Sequence, residues 1–280
     1  MRKQLALYGA LASGLVALTM VTSPAWAVRT QVGRYFYDLP KDALTTNEAA
    51  VRTLIEVSDA IGFTRNQPLP GNPPAGGPAN CLGCLTPMFE LKGSGMYNGV
   101  SNADVVITFD RRKPGVRADV TAAGGKARTV TVALDKVSWD ETTPGVGAKA
   151  STETSLTRLL PIFLLPSEVV YSGIAAADKI KLTSSGSLRT LTIPVPLYNT
   201  NLIATIDRSG FPVKTEMTVG GKIYTGEYDE FDNDRMDNHV FMPSRIVQKM
   251  DGKVFTDLSL DYTWTNPYMV FQIPKEIASK

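Results

Sequence analysis

Residues 239–264 read HVFMPSRIVQKMDGKVFTDLSLDYTW, two runs rich in β-branched and aromatic residues on either side of Asp251-Gly252. In the second run Val254, Thr256, Leu258, Leu260 and Tyr262 alternate with Phe255, Asp257, Ser259 and Asp261. A period of two predicts an antiparallel strand with one face buried and the other wet. An Asp-Gly pair between two such runs predicts a hairpin. The device recurs. VGGK at 219–222 joins PVKTEMTV to IYTGEYDEF, and AAGGK at 122–126 joins GVRADVTA to ARTVTVAL. FELKGSGMYNG and ADVVITFDRR precede these as neighbouring strands, LDK turns the chain into VSWDE, and LRTLTIPVPL and NLIATIDRSG continue the pattern later.

Two segments break the period. Residues 42–62, DALTTNEAAVRTLIEVSDAIG, place Leu44, Val51, Leu54, Ile55 and Ile61 on or near one helical face, with Gly62 as the stop. Residues 151–180 open with polar capping residues and continue through Leu156, Leu159, Leu160, Phe163 and Leu164, broken or kinked at Pro161 and Pro166. The order is therefore helix, strands, an apolar kinked helical insert, and more strands. This predicts an α+β fold: a large curved antiparallel sheet, an incomplete β-barrel, with helices packed on its concave side. An apolar cavity between helix and sheet would follow naturally.

The N-terminus begins with Arg2 and Lys3, runs apolar from Leu5 to Val21, and then gives Ala25-Trp26-Ala27. This is the three-part pattern of a secretory signal peptide over residues 1–27, cleaved near Ala27. No later segment approaches the length of a membrane span. Residues 28–280 are expected as one exported domain, periplasmic or secreted. Loss of the signal takes the basic count from 29 to 27, equal to the 27 acidic residues. A chain near neutrality has no overall field for a phosphate backbone, which argues against nucleic acid as a partner.

A proline- and glycine-rich loop at 66–87 ends in Cys81-Leu-Gly-Cys84, the only cysteines. Haem attachment needs a histidine after the second cysteine, where Leu85 stands. A structural zinc site wants four ligands, and a redox pair wants a helix N-terminus, where Pro87 follows instead. In an oxidising compartment the expectation is a small disulfide staple, with a redox role as the alternative. His239 is the only imidazole, no G-x-S-x-G elbow exists, and neither GGK completes a phosphate-binding loop. The acidic run from Glu227 to Asp237 lacks the spacing and glycine of a calcium loop and reads as a charged hairpin tip, with a calcium site as the alternative. No catalytic residue, metal site or cofactor is expected.

Taken together, FELKGSGMYNG, GVRADV, ALDKVSWDETTPG, LTRLLPIFLLP and IATIDRSGFPVKTEMTV resemble the exported LolA-type lipoprotein carriers and their half-barrel relatives. The stretch from Tyr228 to Ile277 resembles the end of half-barrel domains that precede some bacterial metallo-hydrolase domains. The resemblance spans most of residues 42–277. It implies an incomplete barrel closed by helices around an apolar cavity suited to lipid chains. Two departures stand out: the CLGC loop lies outside the family's pattern, and no metallo-hydrolase domain follows. The resemblance also implies that Arg117 takes the position of the arginine that carriers use inside the cavity, although an outward-facing Arg117 would meet solvent.

The leading expectation is a non-catalytic binding or carrier protein for an acyl chain or other apolar ligand in the bacterial envelope. Its candidate lining is Ile107, Phe109, Trp139, Leu160, Phe163, Leu164 and Ile206, with Arg117 as the polar member. The same residues could instead form an ordinary filled core. That is the second expectation: an accessory module that meets another envelope protein. A hydrolase-associated domain is the third.

Overall fold

A computed structural model describes residues 27–32, 35–40, 42–63, 88–111, 114–125, 127–232, 240–265 and 272–278. Residues 1–26, where a signal peptide is expected, the C-x-x-C loop with Cys81 and Cys84, and residues 233–239 with His239 lie outside the described residues.

The chain opens with a hairpin, β1 (Ala27–Val32) and β2 (Tyr35–Pro40), that forms a separate two-stranded sheet. Sequence reading placed a helix first, so this hairpin is an addition. The expected helix follows as α1 (Ala43–Ala60). Six strands come next: β3 (Met88–Tyr97), β4 (Val100–Asp110), β5 (Gly115–Ala122), β6 (Arg128–Leu134), β7 (Val137–Glu141) and β8 (Lys149–Ala150). The apolar insert is two helices, α2 (Ser155–Phe163) and α3 (Pro166–Ala175). Seven strands then complete the sheet: β9 (Lys181–Ser185), β10 (Leu188–Val195), β11 (Thr200–Ile206), β12 (Pro212–Val219), β13 (Lys222–Asp232), β14 (Met242–Met250) and β15 (Lys253–Thr265). A short helix, α4 (Lys275–Ala278), ends the described chain.

All thirteen strands from β3 onward belong to one antiparallel sheet, ordered β8-β7-β6-β5-β4-β3-β15-β14-β13-β12-β11-β10-β9. The sheet is two meanders joined where β15 pairs with β3. It does not close into a barrel, since β8 and β9 are its two edges. Two-residue turns drive the meanders: Asn98-Gly99, Gly220-Gly221 and Asp251-Gly252 all have positive φ at both central residues. That geometry matches the twist of the flanking strands. At the β15–β3 seam, a Cβ on Gly93 or Gly95 would overlap the carbonyl oxygens of Ser259 and Asp257. The glycines of FELKGSG thus let the two meanders meet around a tight bend.

The strand alternation read from residues 254–262 holds as far as Leu260. A register shift between Leu260 and Tyr262 then reverses it, burying Thr263 and turning the Tyr262 hydroxyl to Glu90 at 2.6 Å. The stretch IDRSGFP is a turn device. The Asp207 carboxylate accepts from the Ser209 and Phe211 amides at 2.8 and 2.9 Å. Arg189 donates to the Asp207 carbonyl at 3.3 Å and pairs with Glu56 of α1, fixing the β11–β12 turn against that helix.

The helices pack on the concave side of the sheet, and α2, α3 and α1 contribute to one continuous apolar core with it. Pro161 lies within α2 rather than ending it. The break falls at Leu164 and Leu165, and Pro166 starts α3 at a position where its missing N–H costs nothing. The two helices bend 102° to one another. Among the described residues no single helix is long and apolar enough to cross a membrane, although this bent pair would pass together by length and composition.

Candidate functional site

Six of the eight side chains singled out from the sequence meet in the concave core. Ile107 and Phe109 come from β4, Leu160, Phe163 and Leu164 from α2 and its end, and Ile206 from β11; all are buried there. Phe109 stacks on Phe89 at 5.1 Å between ring centroids, and Phe89 stacks on Phe63 at 5.9 Å. Together these rings and aliphatic side chains line the ground beneath the α2–α3 bend.

Arg117 and Trp139 lie elsewhere. Arg117 pairs in register with Thr108 and Val132, and Val132 pairs with Trp139, so all four share the convex face. Val116, Ala118 and Val120 take the concave side of β5 instead. Trp139 is fully buried in a second apolar cluster with Val130, Val132, Leu134 and Ile277. Its indole N–H donates to Glu141 at 2.7 Å, and Arg117 sits 3.4 Å from the same carboxylate.

The polar group beneath the helices is a different arginine. Arg111, one residue beyond β4, donates from Nη2 to Glu168 Oε1 at 2.7 Å. Its guanidinium carbon lies 4.3 Å from the centre of the Phe163 ring and 5.9 Å from that of Tyr171. Ser172 donates to the same Glu168 oxygen. Glu168 Oε2 and Arg111 Nε and Nη1 are buried and make no hydrogen bond among the described residues. A buried polar atom left in that state costs free energy and marks a place where an incoming polar group would be welcome. Burial pushes the Glu168 carboxyl up to about 7, against the opposing pull of Arg111 and Ser172. Burial and the Glu168 charge both push the Tyr198 hydroxyl up; it donates to the Leu156 carbonyl at 2.6 Å.

Helix position explains part of this placement. Glu168 stands in the first turn of α3, where the exposed amides favour a carboxylate. The end of α2 leaves carbonyls without helical partners, and the sheet supplies them. Gln248 of β14 donates to the Pro161 carbonyl at 2.7 Å, and Thr215 of β12 donates to the Leu164 carbonyl at 2.7 Å. Thr215 also meets the Tyr228 hydroxyl at 2.6 Å. At the other end of α2, Arg158 donates to the Trp139 and Val132 carbonyls at 2.6 and 3.2 Å and pairs with Asp140 and Glu153. The bent helix pair is therefore tied to the sheet at its start and at its bend, with apolar contact elsewhere.

Sequence reasoning missed Arg111, Glu168, Thr215 and Gln248. Glu168 carried a signal, being a lone charge in LLPSEVVYSG, the most apolar stretch after the N-terminus. Arg111 carried none, since DRRKPG reads as an ordinary charged turn. Glu227 and Asp229, the described start of the acidic run, lie on the outer face within reach of Lys249 and Arg245. No group of three or more His, Cys, Asp or Glu able to hold a metal occurs among the described residues.

No protein-family model matches the sequence, and a search of curated proteins finds no significant match.

Proposed function

We propose that this chain is an exported, non-catalytic binding or carrier protein for an acyl chain or similar apolar ligand, of the LolA-type half-barrel kind. The observation that supports this most is how the concave face is covered. Thirteen strands present an apolar surface that is shielded by α1 and by the two short bent helices α2 and α3 instead of a second sheet. Those helices hold to it through a small set of polar ties at Thr215, Gln248, Arg158 and Arg111. In this reading the bend of α2 and α3 is a plug. An acyl chain displaces it and gains about 0.8 kcal/mol for each methylene buried. The polar end of the ligand then takes the unfilled N–H groups of Arg111. The signal segment and cleavage site support action in the periplasm or beyond it.

A filled accessory module that meets another envelope protein is the second reading. The continuous packing of the concave core favours it. One experiment separates the two. The processed protein is purified from the periplasm, its native mass is recorded, and bound lipid is extracted. The carrier reading expects a stoichiometric lipid adduct, or saturable uptake of a fluorescent fatty acid by the apo form. A clean apo mass with no uptake overturns it in favour of the accessory module.

A further inference from the structure

The strand order sends alternate turns to opposite ends of the sheet. One end carries the turns after β3, β5, β7, β10, β12 and β14; the other carries those after β4, β6, β9, β11 and β13. The second end is rich in charge, with Arg111, Asp135, Lys136, Asp207 and Arg208 in its turns. In the turns of the first end only Lys126 and Asp251 are charged, and the other residues are Gly, Ala, Pro, Thr, Val, Leu, Tyr and Asn. We propose that this first end docks on an anionic lipid bilayer. The docking rests on this rim of turns and not on what the concave face holds.

Four of the eight large apolar side chains exposed among the described residues stand at this end: Val100, Val146, Leu197 and Ile223. Neighbouring turns are tied to one another. The Gly99 amide donates to the Phe255 carbonyl at 2.9 Å, and the Asp251 amide to the Ile223 carbonyl at 2.8 Å. The Ile223 amide donates back to the Asp251 carboxylate at 2.9 Å. These bonds fix the tips before contact, so little is lost in ordering them on docking. Lys222 and Lys253 open β13 and β15 beside these turns; both are exposed, and neither forms an ion pair among the described residues. Met88, Asp232 and Val240, which border segments outside the described residues, all stand at the charged end.

Charge and side-chain type select the partner. A lysine beside aliphatic side chains suits the boundary of a bilayer, where its stem lies along apolar surface and its ammonium meets phosphate. Each such lysine strengthens binding to an anionic surface about fivefold. A protein partner is a poorer match. Protein interfaces centre on clustered Trp, Tyr and Arg and are poor in Lys. Here the exposed aliphatic residues stand about one to a turn, spaced so that each can enter between headgroups, and lysine is the main charge.

The test floats the purified, processed chain with vesicles of phosphatidylcholine and phosphatidylglycerol in equal parts, and with phosphatidylcholine alone. Saturable binding to the mixed vesicles is expected, with binding at least about tenfold weaker to the neutral ones. Lys222→Gln and Lys253→Gln in one chain should weaken binding to the mixed vesicles about twentyfold. Ile223→Ser should weaken it several-fold and should do so at high salt as well, because the loss is apolar. Lys136→Gln, an equally exposed change at the charged end, should leave binding as it was. All of these substitutions alter exposed side chains, so the fold stays intact. No binding to the mixed vesicles, an equal loss from Lys136→Gln, or indifference to the Lys222, Lys253 and Ile223 changes would each overturn the proposal.

Discussion

Two arginine–carboxylate pairs, Arg245–Asp257 on the convex face of the sheet and Arg111–Glu168 on the concave side, differ in nearly every physical respect. On the convex side Arg245 grips Asp257 through two bonds of 2.9 Å, with the side chains 49% and 36% exposed. On the concave side Arg111 touches Glu168 through a bond of 2.7 Å from Nη2, with the side chains 12% and 1% exposed. The better-made pair sits in water, where screening and side-chain entropy cancel most of its gain. The less complete pair is buried, where each unfilled donor and acceptor is costly and removal of one partner strands the other. Hydrogen-bond geometry alone would rank these two pairs the wrong way round. Burial decides.

The sharpest way to break the comparison is Arg111→Met. It leaves the buried Glu168 carboxyl without its cation, so at pH 9, where that carboxyl is ionised in the wild type, it should cost about 3 to 5 kcal/mol in urea unfolding. The double variant Arg111→Met with Glu168→Leu should recover much of that loss, because no charge then remains beneath the helices. A double variant as unstable as the single one would show that the packing of Arg111 on Phe163, rather than charge, holds the bend.

The second prediction concerns pH. Glu168 lies at about 7 in the folded protein, above the ordinary glutamate value, because it is buried. The folded state therefore binds the extra proton between roughly pH 4.5 and 7, and the stability this group contributes is present at the acid end and lost as pH rises through 7. The charged neighbour it faces is Arg111, and the Tyr198 hydroxyl lies close enough to sense its charge. Relative to Glu168→Gln, which cannot titrate, the wild type should gain on the order of 3 kcal/mol as pH falls from 8 to 5. Parallel stability curves for the two proteins would refute this.

A smaller effect comes from the polar ties that hold the same helices without charge. Thr215→Val keeps the shape of the side chain but leaves the Leu164 carbonyl and the Tyr228 hydroxyl without their shared partner. A loss of about 2 kcal/mol is expected in urea unfolding. If the plug reading holds, fatty-acid uptake should also quicken, since the bend lifts more easily.

The sequence reveals the sheet more readily than the site. Asn98-Gly99, Gly220-Gly221 and Asp251-Gly252 announce hairpins because few other residue pairs accept two consecutive positive φ angles. Alternation likewise separates Val116, Ala118 and Val120 from Arg117, which is why an outward Arg117 was already open as a reading. The β1–β2 hairpin escaped notice although Gly33-Arg34 divides two short aromatic and β-branched runs. The Tyr262 reversal had no sequence signal, since a one-residue bulge leaves composition unchanged. The concave polar cluster was illegible for a related reason. Arg111, Glu168, Thr215 and Gln248 come from four separate segments, and only the register of the sheet and the 102° bend bring them under one helix pair.

The convex pair supplies the smallest prediction and the control for the others. Arg245→Met removes the bidentate contact to Asp257 and the longer one, at 3.9 Å, to Asp229. Both partners stay in contact with water, so neither is stranded, and the urea midpoint should move little at low salt. Whatever shift appears should vanish at high salt, where ions screen exposed charges within a few ångströms. The concave variants should keep their losses under the same conditions, because salt does not reach a carboxyl that is wholly buried. If Arg245→Met instead proved as damaging as Arg111→Met, and equally blind to salt, something would have to cover the convex face around β14 and β15. The comparison between the two faces would then become one between two buried interfaces.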